Sequence, residues 1–152
     1  IHNGAGANLT LGERAAKFPG LTKLGTDFAT PDKALREIMA TYHALLDPAG
    51  LEYLIFGHIG NNHVHVNILP RAYSSRLRGK KLYSEIAARV IALGGTVSAE
   101  HGIGKLKKHM LSLMFGETGI AAMRKIKLLF DPANLLNPSN LFEETAKQEE
   151  LP

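Results

Sequence analysis

The chain has 152 residues, 45% of them hydrophobic and 21% charged, enough apolar material to bury a core in one compact domain. No run nears the ~20 apolar residues that a membrane-spanning helix needs, and the absence of cysteine excludes disulfides, thiolate metal sites and cysteine nucleophiles. The formal charge is +4, and no aromatic-interleaved basic motif accompanies it, so nucleic acid is not an expected partner.

The first twenty residues, with Gly4, Gly6, Gly12, Pro19 and Gly20, hold no sustained period and read as an irregular lead-in. They start at Ile1 with no Met, basic n-region or apolar h-region, which fits a piece of a longer chain and not a secreted precursor. A cytoplasmic location, with or without peripheral membrane attachment, is the expectation. Lys23-LGTDFA is strand-like, and Thr30-Pro31 then offers an N-cap with proline at the first helical position. Leu35, Ile38, Met39, Tyr42, Leu45 and Leu46 recur at helical spacing, predicting a helix over 31–46 that Asp47-PAG ends. Leu51-EYLIFGHI reads as an apolar strand and His63-VHVNIL as a strictly alternating one.

Arg71 to Gly79 reads as a basic loop, and Leu82, Ile86, Val90 and Leu93 mark a helix closed by Gly94-Gly95. Thr96-VSA is a short β-prone run before Glu100-HGIG, and two helices follow at about 105–115 and 118–130. The last ten residues carry four Glu against one Lys, leaving +7 on residues 1–142, and are expected to be a disordered acidic tail. The basic clusters Arg71-AYSSRLRGKK and Lys105-LKKH read as solvated surface or as sites for an anionic ligand. Strand, helix, strand, strand, helix, strand is the ferredoxin-like βαββαβ order. The predicted class is α+β, an antiparallel sheet with helices on one face, plus two C-terminal helices.

The densest chemistry lies in Gly57-HIGNNHVHVNILP. If Asn61-Asn62 forms a two-residue turn, His58 faces His65 and Gly60 faces His63. Opposed residues have Cβ atoms roughly 4.5–5.5 Å apart, close enough for two imidazoles to share a cation. Alternation puts His63, His65 and Asn67 on that same face, and Val64, Val66 and Ile68 on the other. An imidazole pair without thiolate suits zinc, manganese or iron, and a carboxylate normally completes the set. Glu100 supplies one, between a short strand and a helix, with glycines that let the backbone turn sharply. Glu100 and His101 are adjacent and point apart on a strand, so one is read as a ligand and the other as a proton acceptor. In a minimal ferredoxin-like sheet the fourth strand parallels the third, which would leave Glu100 at the end away from the turn. A shared site therefore demands shifted strands or a departure from that topology.

With these residues the chain resembles the C-terminal domain of FAD-linked oxidases of the vanillyl-alcohol oxidase superfamily. That group includes D-lactate, glycolate and D-2-hydroxyglutarate dehydrogenases. Gly25-TDFATP, Gly57-HIGNNHVHVNILP, Gly94-GTVSAEHGIGKLK and Asp131-PANLLNPSNLF carry the likeness, in the family's order, from about residue 23 to 142. The resemblance implies that His58, His65 and Glu100 are the metal ligands. It implies that His101 takes the substrate hydroxyl proton as hydride leaves for flavin N5, and that Asn67 contacts the substrate. It also implies FAD held mainly by an N-terminal domain absent from these residues and reaching this one near Asn137. The partners implied are a D-2-hydroxy acid and an electron acceptor, and the separate 1–142 domain should not turn over.

Two departures stand out. His63 occupies a position of the turn where the family commonly has Asn, adding a further candidate ligand. The family's substrate-carboxylate arginine has no close counterpart, Arg14 being a poor match. Two other readings remain at this level. His63-VHVNIL also resembles the histidine-triad motif of nucleotide hydrolases, with Asn67 where that motif needs histidine. The other is a non-catalytic ferredoxin-like binding module.

Overall fold

The computed structural model describes residues 12–142. The acidic tail and the first eleven residues of the lead-in lie outside the described residues. Two compact units emerge, one ending at His101 and one beginning at Gly102.

The first unit opens with a helix, α1, over 12–17, where a lead-in without regular structure was expected. The run Glu13-Arg14-Ala15-Ala16-Lys17 consists of good helix formers that the flanking glycines disguise. Arg14 then anchors it, donating to Glu52 at 2.7 Å and to the Leu69 carbonyl at 3.0 Å. Strand β1 (Leu24–Gly25), helix α2 (Leu35–Leu46), strands β2 (Tyr53–His58) and β3 (His63–Ile68), and helix α3 (Tyr73–Ala92) follow. The sheet is antiparallel, in the order β1-β3-β2.

Helix α2 buries Ile38, Tyr42 and Leu46, one stripe at four-residue spacing. Its start differs from the predicted cap. A 3-10 turn over Asp32–Ala34 precedes it, Pro31 is extended, and the Thr30 hydroxyl caps nothing. Thr30 instead donates its backbone N–H to the Asn62 carbonyl, tying it to the β2–β3 turn.

Helix α3 begins six residues before Gly79, so the predicted Arg71–Gly79 loop is mostly helix. The Ser75 hydroxyl accepts the Arg71 and Ala72 N–H groups and caps the first turn. Gly79 is not a breaker here. A Cβ there would meet Leu24 Cδ1 at 3.0 Å and Ile68 Cγ2 at 3.3 Å, so its bare backbone lets α3 lie directly on β1 and β3. Beneath the helices Val64, Val66 and Ile68 join Ile38, Tyr42, Leu46, Ile86 and Val90 in the core. Burial also pushes the Tyr42 hydroxyl well up.

The fourth strand is reduced to one antiparallel bridge, Ala29↔Thr96, at the edge where the ferredoxin-like order expects it. Val97 is fully buried, and the chain bends away immediately after it. In the second unit one helix, α4 (Lys108–Phe130), replaces the predicted pair. Gly116 breaks it with φ 61° and ψ 179°, so two helical segments do meet, as the sequence pattern implied. No described helix is long and apolar enough to cross a membrane.

Candidate active site

The β2–β3 hairpin carries the histidines. Its connection is the 3-10 turn Ile59–Asn61 followed by Asn62 in the left-handed region at φ 54°, not a two-residue Asn-Asn turn. His58 therefore opposes His63, and Phe56 opposes His65. The expected His58–His65 pairing is displaced by two residues, and a displacement of two leaves every side chain on its expected face. Gly57, at φ 145°, makes the approach possible. A Cβ there would sit 2.5 Å from the His63 carbonyl oxygen.

The ring centroids of His63 and His65 are 4.3 Å apart, and those of His58 and His63 5.5 Å. His63, His65 and Asn67 are all buried, although they belong to the polar face of the strand. The Asn67 amide oxygen lies over Gly25, where a Cβ would meet it at 2.8 Å, and its Nδ2 has no hydrogen-bond partner.

Glu100 arrives from the other edge. The pairing Leu24↔Ile68, Gly25↔Asn67 and Ala29↔His63 keeps one register, which sets Asp27 opposite His65. Asp27, 2% exposed, then gathers the following segment. Its carboxylate accepts the Ser98 hydroxyl at 3.2 Å and the N–H groups of Glu100 and His101 at 3.2 and 3.0 Å. The chain leaves the sheet after Thr96, at the level of the turn, and is held at Asp27. Glu100 thus stops beside His65 and not at the far end of the sheet, and the topological conflict dissolves.

The Glu100 carboxylate is the centre of the cluster. Its Oε1 lies 3.1 Å from His65 Nε2 and 3.3 Å from His101 Nε2, and its Oε2 lies 3.7 Å from His58 Nε2 and 3.9 Å from His63 Nδ1. The His101 ring stacks on His65 at 5.3 Å, with Nδ1 3.7 Å from Asp27 Oδ1. Because this segment is bent and not a strand, Glu100 and His101 converge on one place where strand geometry would separate them.

His65 Nδ1 lies 2.9 Å from the Thr26 carbonyl, which only accepts, so Nδ1 carries a proton. In the neutral ring Nε2 is then a lone pair facing a carboxylate oxygen at 3.1 Å. Two acceptors in that position require a proton or a cation between them. The donor set passes the test for a divalent ion. Ligand atoms of His58, His63, His65 and Glu100 lie within 4.8 Å of one another, and so do those of Asp27, His65, Glu100 and His101. Tyr83 is no rival proton acceptor. Burial pushes its hydroxyl up to about 12, and the Asp27 charge adds to the effect.

Residues 8–141 match the family model for FAD linked oxidases, C-terminal domain. The chain belongs to this family. Among curated relatives, a glycolate oxidase subunit (GlcD) of Bacillus subtilis is 32% identical, matching 81% of this chain and 25% of its own length. A D-lactate dehydrogenase of Archaeoglobus fulgidus is 35% identical, with 76% and 26% covered. A mitochondrial D-2-hydroxyglutarate dehydrogenase of Bos taurus is 32% identical, with 74% and 20% covered. The chain thus spans about a quarter of the length of these relatives.

In this FAD-linked oxidase domain the structure brings together His58, His65, Glu100 and His101, and places Asn67 on the same strand face. Asn137 is in the second unit, with φ 47° in the loop that Asp131 organises by accepting the Leu135 and Leu136 N–H groups. Arg14 is committed elsewhere, to Glu52 and Leu69. Sequence reasoning missed Asp27. The lone acid of the strand-like run Lys23-LGTDFA was the available signal, since Asp is rarely buried unless partnered.

Proposed function

We propose that this domain binds substrate and metal for a flavin-dependent 2-hydroxy-acid dehydrogenase or oxidase, which converts a D-2-hydroxy acid to the 2-oxo acid by hydride transfer to FAD. The observation that carries the reading is the Glu100 carboxylate 3.1 Å from His65 Nε2, with His58 and His101 around it. The names of the relatives, enzymes of glycolate, D-lactate and D-2-hydroxyglutarate, support the substrate class.

His58, His65 and Glu100 would hold a zinc, manganese or iron ion. Bound there, the ion would supply Lewis acidity toward the substrate hydroxyl, and FAD, carried by an N-terminal partner domain, would supply the hydride acceptor. Thr26 fixes the His65 ring so that Nε2 faces inward. His101, exposed beside the cluster, accepts the hydroxyl proton at Nε2 and is steadied on its Nδ1 side by Asp27. Asn67 offers the unpaired Nδ2 hydrogens of its amide to a carboxylate oxygen of the substrate. Asn137 is the proposed contact to the flavin, whose electrons would go on to a separate acceptor. The test is elemental analysis of purified full-length protein, wild type and His58→Ala. About one metal per wild-type chain and near-complete loss in the variant is the expected result. Metal-free, active wild type would end the reading.

A further inference from the structure

We infer that His63 is a fourth metal ligand, so that three imidazoles and Glu100 enclose the ion. This rests on the metal reading above and extends it to a residue outside the three-ligand set.

His63 Nδ1 lies 3.9 Å from Glu100 Oε2, the same oxygen that His58 Nε2 approaches at 3.7 Å. Donors ~2.0–2.2 Å from a common ion stand no more than ~4.4 Å from one another. Ligand atoms of His58, His63, His65 and Glu100 all lie within 4.8 Å of one another, so side-chain movements of about an ångström or less gather them around one ion. His58 and Glu100, both largely exposed, are free to make them.

The outer nitrogen strengthens the case. A ligating histidine is normally oriented by a carboxylate or carbonyl on its other nitrogen. His65 has the Thr26 carbonyl in that role. His63 has Asp27, whose Oδ1 lies 3.2 Å from Nε2, off the hydrogen-bonding direction, so that Nε2 is buried without a bonded partner. A small rotation that moves Nδ1 toward the ion is free to bring Nε2 onto that carboxylate. A histidine buried only to pair with Asp27 would have no need to aim Nδ1 at Glu100.

The assignment has a chemical consequence. Four protein ligands fill a tetrahedral zinc site. An ion that also receives the substrate must then expand to five or six positions, which favours manganese or iron.

X-ray absorption fine structure on the zinc-loaded full-length protein counts the imidazoles directly. Three in the wild type and two in His63→Asn is the expected result. In competition with a chelator, His63→Asn should release zinc at least ~10-fold more readily, the least that disturbing even an orienting contact costs. Zinc bound by two imidazoles in the wild type, or equal retention by His63→Asn, overturns this inference and leaves the three-ligand reading standing. A wild type that binds none of zinc, manganese and iron overturns both. If His63→Asn fails to fold, the wild-type count decides alone.

Discussion

The two faces of β3 are both buried, yet they do different work. Val64, Val66 and Ile68 face the helices and are satisfied by packing alone. His63, His65 and Asn67 are equally covered but leave two nitrogen atoms, His63 Nε2 and Asn67 Nδ2, without hydrogen-bond partners. Buried polar atoms of that kind each cost ~1–3 kcal/mol when left unmade. The strand therefore secures the fold through one face and carries an unmet demand on the other, which substrate would meet at Asn67 and which Asp27 would meet at His63 Nε2 once Nδ1 turns to an ion.

Breaking the cluster that the polar face helps to build should destroy turnover with little loss of fold. His101→Ala in the full-length enzyme should lower kcat by ~10²–10⁴-fold, the usual worth of a general base. Steady-state kinetics with D-lactate or glycolate checks this, and a wild-type rate removes the role.

Breaking the apolar face should do the reverse. Ile68→Ala should cost ~2–5 kcal/mol in urea unfolding, from lost burial and the cavity left beneath α3. The metal content of the folded fraction should stay unchanged.

Asp27 bridges the two behaviours, because it holds the Glu100 segment and also faces His63 and His101. Asp27→Asn keeps the shape and removes the charge. It should weaken metal retention by ~10–100-fold, read by chelator competition, as outer contacts to ligands typically do.

The smallest effect belongs to the far end of the sheet. Partial burial pushes the Glu52 carboxyl up, but hydrogen bonds and charge from Arg14 and Arg71 outweigh it and hold the group below the usual carboxylate range. A carboxyl depressed in the folded state stabilises above its unfolded pKa, and that gain is lost as pH falls through the folded value. Glu52→Gln should flatten this acid limb in urea midpoints and cost under ~1 kcal/mol at neutral pH, since Glu52 is one-third exposed.

Much of this was legible in the sequence. The alternation of His63-VHVNIL set both faces of β3, and the stripe Ile38, Tyr42, Leu46 set α2. What escaped was tertiary. Asn61-Asn62 suits a tight turn and equally suits a 3-10 turn ending in a left-handed Asn62, and the second is the one tied down by Thr30 at the Asn62 carbonyl and by Asp32 at its side-chain amide. Gly79 reads as a breaker until Leu24 and Ile68 are seen against it. Glu100 could not be placed from strand topology, because a side chain far upstream, Asp27 just after β1, holds its backbone.

The most direct measurement is anomalous scattering from crystals of the full-length protein at the edge of the metal found by elemental analysis. A single peak within ~2.0–2.2 Å of both His65 Nε2 and a Glu100 carboxylate oxygen is the predicted result. A blank map there, with the His65 ring hydrogen-bonded directly to Glu100 in an active enzyme, would contradict the account.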